Sequence, residues 1–218
     1  MSGESSRDNL FSDYAQRLSD LLLSSEWSDV AQLAQDMQDA WKDGRQVFFC
    51  GNGGSAGNAI HLANDFVYGV AKKTGGGLRA LSLSANSAVV TCLANDVGYD
   101  YIYSEQLAVQ GRSGDLLIAL SGSGNSPNIV NVIDKARELK IKSYAILGFD
   151  GGKSKALADV SIHFPVMDMQ ISEDMQLIVG HMLMQWLYRN NARPTVSCLE
   201  LSLLEAILFL ARALLISP

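Results

Sequence analysis

The chain has 218 residues, 48% hydrophobic and 18% charged, enough to bury one sizeable core and too few for two large ones. Four prolines against 19 glycines, with no low-complexity stretch and no run of like charge, exclude extended disorder and a long linker. Seventeen Lys and Arg against 23 Asp and Glu give a net charge of −6 without a basic cluster, which excludes a counterion-releasing nucleic-acid surface.

Three cysteines, Cys50, Cys92 and Cys198, all lie in apolar contexts and fit neither a disulfide framework nor a spaced zinc finger. The first residues, MSGESSRDNLF, carry no basic region followed by an apolar stretch, so no secretory signal and a cytoplasmic location are expected. The apolar run Val196–Ile216 is interrupted by Glu200, Glu205 and Arg212, which argues against a membrane span.

Taken in chain order, Asn9–Leu23 and Trp27–Lys42 have helical spacing, the second ending at Gly44 as a C-cap. Gln46–Cys50 is a short apolar run closed by GNGGSAG, and Ser55–Tyr68 returns to helical spacing, which reads as strand, loop, helix. The alternation repeats through strands at Leu78–Leu83, Asp115–Leu120, Ser143–Leu147 and Val160–Phe164, with helices at Ser87–Asn95 and Ser126–Leu139. Ser172, followed by Glu173 and Asp174, is predicted to cap a long helix reaching about Tyr188, and Cys198–Ile216 to form a last apolar helix. The expected fold is α/β, a parallel sheet of about five strands in a flavodoxin-like three-layer sandwich. Residues 1–44 are read as N-terminal helices packing on the core and the oligomer, 45–190 as the ligand-binding domain, and 195–218 as a C-terminal apolar tail.

Two strand-to-helix loops, Gly51–Gly57 (GNGGSAG) and Ser121–Ser126 (SGSGNS), are rich in Gly, Ser and Asn. In an open α/β sheet such loops sit at the strands' carboxyl ends, where helix N-termini offer unpaired N–H groups to an anion. Either loop alone is explained by tight turns and caps; two of them, each directly after an apolar strand, point to one anion site. No Lys-Ser/Thr follows the first loop, so it is not a Walker A loop. Gly51, Gly53 and Ala56 satisfy G-x-G-x-x-A, but the second strand ends in Ser84, Ala85 and Asn86 with no ribose-binding acid, and no nucleotide cofactor is expected. Gly53–Gly57 also satisfies G-x-S-x-G, but a nucleophile elbow normally follows several strands.

His61 and Asp65 are four apart on the helix leaving the first loop and share a face. His181 lies in an apolar stretch, a setting usual for core histidines, yet the fold can bring its helix and that of His61 to one sheet edge. Glu173 precedes His181 by eight residues, about 12 Å along a helix. Both reach one small site only if Glu173 sits on a flexible helix start or the two come from different subunits. His163 reads as structural.

CGNGGS at Cys50–Ser55, His61, ANDVGYD at Ala94–Asp100, SGSGNS at Ser121–Ser126, GFDGGK at Gly148–Lys153 and His181, in this order, resemble the sugar isomerase (SIS) domain of bacterial phosphoheptose isomerases, over about Leu10 to Leu187. The resemblance implies a homotetrameric aldose–ketose isomerase with sites between subunits, converting sedoheptulose 7-phosphate to D-glycero-D-manno-heptose 7-phosphate. Asn52, Gly53, Ser55, Ser121, Ser123 and Ser126 then form the sugar-phosphate cradle, Asp96 contacts a hydroxyl, and His181 and Asp65 are the acid/base pair. Asp65 stands where the family has Glu, Glu173 where it has a site-lining Gln, Gly69 where it has Arg, and Gly122 where Thr is common. Some members carry zinc, and His61, Asp65, Glu173 and His181 make a set of two imidazoles and two carboxylates suited to Zn²⁺. Other SIS proteins of this size are not enzymes; they sense sugar phosphates or associate with the replication initiator. Gly69 and Gly122 favour that alternative, whereas His61, an acid at 65 and His181 favour the enzyme.

Overall fold

The computed structural model describes residues 5–190. The apolar tail expected at 195–218, with its helix and Cys198, lies outside the described residues.

Five strands form one parallel sheet in the order β2-β1-β3-β4-β5, as expected. They are β1 (Gln46–Gly51), β2 (Arg79–Ser82), β3 (Leu116–Ser121), β4 (Lys142–Leu147) and β5 (Val160–His163). β3 is buried along its whole length and β1 at all but its first residue, which is why QVFFCG and LLIALS read as unbroken apolar runs rather than alternating ones. Edge strand β2 is shorter than expected and exposes Arg79 and Leu81.

Helices cover both faces. Against one pack α1 (Ser5–Ser24), α2 (Ser28–Lys42), α3 (Gly54–Asn64) and α9 (Met169–Arg189), around Leu33, Met37, Phe49, Leu62, Met175 and Leu183. Against the other pack α6 (Ser104–Gln110) and α7 (Pro127–Glu138), around Phe48, Ile102, Leu107, Leu117, Val132 and Ile133. The short helices α4 (Ala71–Thr74), α5 (Ser87–Asp96) and α8 (Gly152–Leu157) fill the connections. α1 lays Tyr14, Leu18, Leu21 and Leu22 on the core but leaves Leu10, Phe11 and Leu23 exposed.

Two helix assignments differ from the sequence reading. α9 starts at Met169 and is capped by Asp168, whose carboxylate accepts from the backbone N–H groups of Gln170 (3.0 Å) and Ile171 (3.1 Å). Ser172 is therefore one turn inside the helix, and its hydroxyl donates back to the Asp168 carbonyl (2.7 Å), the bond open to a helix-interior serine. Arg17 of α1 holds Asp168 at 2.8 Å and keeps its carboxyl below the usual carboxylate range. The helix expected over 55–68 is also interrupted: after Asn64 the chain widens into a π turn, Asp65–Gly69, before resuming as α4.

Candidate active site

Strand order reverses between β1 and β3, whose neighbours β2 and β4 lie outward on opposite sides, so the chain leaves these two strands at the topological switch point. Cα register pairs Gly51 of β1 with Leu120 of β3, which places the Gly51–Gly57 and Ser121–Ser126 loops side by side.

A polar lattice ties the loops together. Asn52 and the buried Asn128 of α7 exchange amide hydrogen bonds at 2.8 and 2.9 Å. The Asn52 carbonyl oxygen also accepts from Tyr103 (3.1 Å) and Tyr99 (3.2 Å). Burial pushes the Tyr103 phenol up, so it stays protonated and donates to the Gly51 carbonyl as well. On the α9 side, Gln176 donates to the buried Ser55 hydroxyl (3.0 Å) and accepts from Asn58 (3.0 Å), which also donates to the Glu173 carbonyl (3.0 Å). In the second loop the buried Ser121 hydroxyl accepts from Gly124 N–H (3.0 Å), and the Gly124 carbonyl accepts from Ser154 N–H (2.9 Å). Ser123 accepts from Asn125 N–H (3.3 Å), and Ser126 occupies the N-cap position of α7 without a side-chain capping bond. Asn52 and Ser121 thus brace the two loops, while Ser123 and Ser126 have their side chains on the second loop and Gly53 precedes the α3 N-terminus. Gln176, Asn128, Asn58 and Tyr103 were missed by sequence reasoning. The available signal was a buried-pattern Gln and Asn within apolar helical stretches.

His61 and Asp65 come together as expected, and His181 joins them. His61 Nε2 lies 3.1 Å from His181 Nε2 and 3.3 Å from Asp65 Oδ2, with His181 Nε2 at 3.6 Å from the same oxygen. The imidazoles meet edge to face, and both are about half exposed while Asp65 is only 16% exposed. His181 is thus no core histidine. Asp65 opens the π turn, a device that recurs at functional sites. A tetrahedral zinc with bonds of about 2.0–2.1 Å separates its ligand atoms by about 3.4 Å, close to all three distances. The donor set therefore fits that ion, with room for a further ligand.

Glu173 is not a member of this cluster, the group of possible metal ligands among the described residues being His61, Asp65 and His181. Because α9 begins at Met169, Glu173 is fixed in regular helix, and its carboxylate packs over Gly54 in the first turn of α3, 2.3 Å from where a Cβ would stand. Asp96, at the end of α5, is exposed and accepts from Asn95 (2.7 Å) and the Cys92 thiol (3.5 Å). His163, on edge strand β5, donates from Nε2 to the Phe149 carbonyl (3.0 Å) and is not a member of the cluster.

The two glycine departures have a packing counterpart. A Cβ on Gly69 would stand 2.6 Å from the Met184 methyl, and one on Gly122 2.6 Å from the Met169 sulfur. Methionines of α9 fill the space that larger side chains would take at both positions.

A parallel sheet with two neutral Gly/Ser loops at its switch point and an imidazole–carboxylate cluster beside them defines a sugar isomerase (SIS) domain, and the family model of that domain matches residues 10–148. The chain is 38% identical to the phosphoheptose isomerase of Akkermansia muciniphila over 77% of its own length and 88% of that protein. It is 33% identical to that of Chlorobaculum parvum over 79% of its length and 83% of that protein. Among solved structures, the phosphoheptose isomerase of Neisseria gonorrhoeae superposes with a TM-score of 0.75 at 28% identity, covering 84% of this chain and 97% of that one. The chain belongs to the phosphoheptose isomerase family of SIS-domain proteins. No helix among the described residues is long and apolar enough to cross a membrane.

Proposed function

We propose that the protein is a sugar-phosphate aldose–ketose isomerase whose substrate is sedoheptulose 7-phosphate and whose product is D-glycero-D-manno-heptose 7-phosphate. The convergence of His61, Asp65 and His181 beside the two loops carries this reading over the non-enzymatic one, since a sensor or scaffold needs the loops but not the cluster. Ser55, Ser123, Ser126 and the backbone beyond Gly53 hold the phosphate with neutral donors at two helix N-termini, and Glu173 and Asp96 face sugar hydroxyls.

Asp65 removes a proton from C1 of the ketose, the C–H electron pair forms the C1=C2 double bond, and the C2 carbonyl oxygen takes a proton from His181. O1 then gives its proton to His181 as the C1 carbonyl forms, and Asp65 delivers to C2 the proton it took from C1, which restores both groups. One hydrogen has moved from C1 to C2, and no redox partner is required. Alternatively, His61, Asp65 and His181 would hold Zn²⁺, which would polarise the sugar carbonyl as a Lewis acid in place of proton transfer by Asp65 and His181 themselves. Glu173 completes that set only across a subunit boundary, its distance along α9 from His181 ruling out the same chain.

The purified protein should therefore interconvert the two heptose phosphates, and Ser123→Ala should weaken sugar-phosphate binding by about 1–2 kcal/mol with the fold intact. Absence of isomerisation together with undisturbed binding of the ketose phosphate would return the chain to the sensor reading.

We also propose a cytoplasmic homotetramer. Leu10, Phe11 and Leu23 are large apolar side chains left exposed on α1, surface that assembly would cover. Sedimentation at micromolar concentration should give the tetramer; a stable monomer would remove both the assembly and any site shared between chains.

A further inference from the structure

A cavity of about 430 Å³ opens next to the cluster, lined by Lys73, His181, Met184, Gln185, Tyr188 and Arg189. Its charge is unlike that of the rest of the chain. Lys73 and Arg189 bring two cations, no carboxylate lines it, and neither cation has an ion-pair partner among the described residues. On a protein of net charge −6, two unpaired cations facing one concave space form a local positive field rather than a solvated average.

Lys73 is also placed. The Lys73 ammonium sits 4.6 Å from the centroid of the Tyr188 ring, an attraction that fixes a side chain otherwise free to rotate. That ring is anchored in turn, its hydroxyl donating to the Gly69 carbonyl at 3.0 Å, at the end of the π turn that Asp65 opens. Burial and the Asp65 carboxylate raise the Tyr188 phenol, so it remains a donor. Position 69 itself, a glycine with the Met184 methyl against it, contributes no side chain to the cavity.

On the reading that this is an isomerase acting at the cluster, we propose that Lys73 and Arg189 form an anion subsite for the C1 end of the substrate, taking the negative oxygen that develops on the enediol and any carboxylate presented at that carbon. The phosphate loops hold one anionic end of the ligand, and Lys73 and Arg189, in the cavity that His181 also lines, take the other. Lys73 is a positioning residue, clamped by Tyr188 where charge appears during the reaction.

Two probes separate this subsite from the cradle: a heptonate 7-phosphate, with a carboxylate at C1, and the corresponding heptitol 7-phosphate, with a neutral alcohol there. The full-length protein should bind the heptonate more tightly than the heptitol. Lys73→Gln should weaken the heptonate about tenfold and leave the heptitol unchanged, and Lys73→Arg should restore most of the difference. Equal affinity of wild type and Lys73→Gln for the heptonate overturns the subsite. A merely structural role for Lys73 would weaken both ligands together, and that outcome also overturns it. If neither probe binds the wild type, the isomerase reading itself fails, a result distinct from either.

Discussion

His181→Gln and Asp65→Asn should each lower turnover by about a hundredfold or more while sugar-phosphate affinity is nearly kept. The proton-transfer groups lie on α9 and the π turn, whereas the phosphate donors lie in the two loops, so binding and chemistry separate in the kinetics: kcat falls and KM holds. Both side chains touch His61 and each other, so each change also breaks the three-donor cluster. If that cluster's main service is to hold zinc, metal content and melting temperature fall together in the same variants. Asp65→Glu separates the alternatives further. The carboxylate advances by one methylene, and a displacement of about 1 Å at a reacting group costs on the order of a hundredfold. A gain in activity would mark the site as tuned below its potential by the shorter acid. A loss would mean that the π turn has been built around Asp65, which already stands 3.3 Å from His61. Activity would be read by a coupled heptose-phosphate assay and metal by elemental analysis of the same samples.

How far the sequence reveals this site depends on how local each feature is. β1 and β3 are legible because a strand covered on both faces cannot alternate, and the loops that follow are legible because only Gly, Ser and Asn suit a backbone that must approach an anion. The pairing of His61 with Asp65 follows from four-residue helical spacing alone. The start of α9 does not, because Asp168 and Ser172 both have cap chemistry and the choice is made by Arg17, 151 residues away in sequence. The π turn is equally invisible: its backbone is held by Tyr188 on Gly69 and by Leu78 N–H on the Phe66 carbonyl (2.9 Å), contacts that exist only after α9 and β2 have docked. Glu173 illustrates the same limit in reverse. Its chemical type fits the cluster, but its place on α9 is set by helix rise, which carries it to Gly54 instead. Ser55 was legible from its loop, but its bond to Gln176 and the Asn58 contact were not, since only the packing of α3 on α9 brings these residues together.

Gly124→Ala should abolish measurable sugar-phosphate binding and lower the melting temperature. Gly124 has φ of +66°, a conformation that costs an L-residue about 1–2 kcal/mol. That strain is the smaller part. A Cβ there would stand 2.0 Å from the Gly151 carbonyl oxygen, and backbone cannot swing aside as a flexible side chain can. Relief requires the Ser121–Ser126 loop to part from the loop before α8, which breaks the Ser154-to-Gly124 bond and draws Gly124 N–H away from Ser121. The hydroxyls of Ser123 and Ser126 then lose the geometry on which the phosphate depends. Gly53→Ala supplies the control, since Gly53 has a comparable φ of +56° but open space where the Cβ would go. It should cost only the conformational strain, about 1–3 kcal/mol in stability because its ψ of −121° lies outside the left-handed helical well, and keep ligand binding. Thermal melts with and without sedoheptulose 7-phosphate read both effects: a ligand-induced rise that survives in Gly53→Ala and vanishes in Gly124→Ala is the expected pair. Equal behaviour of the two variants would mean that contact between the second loop and the α8 loop does not shape the cradle.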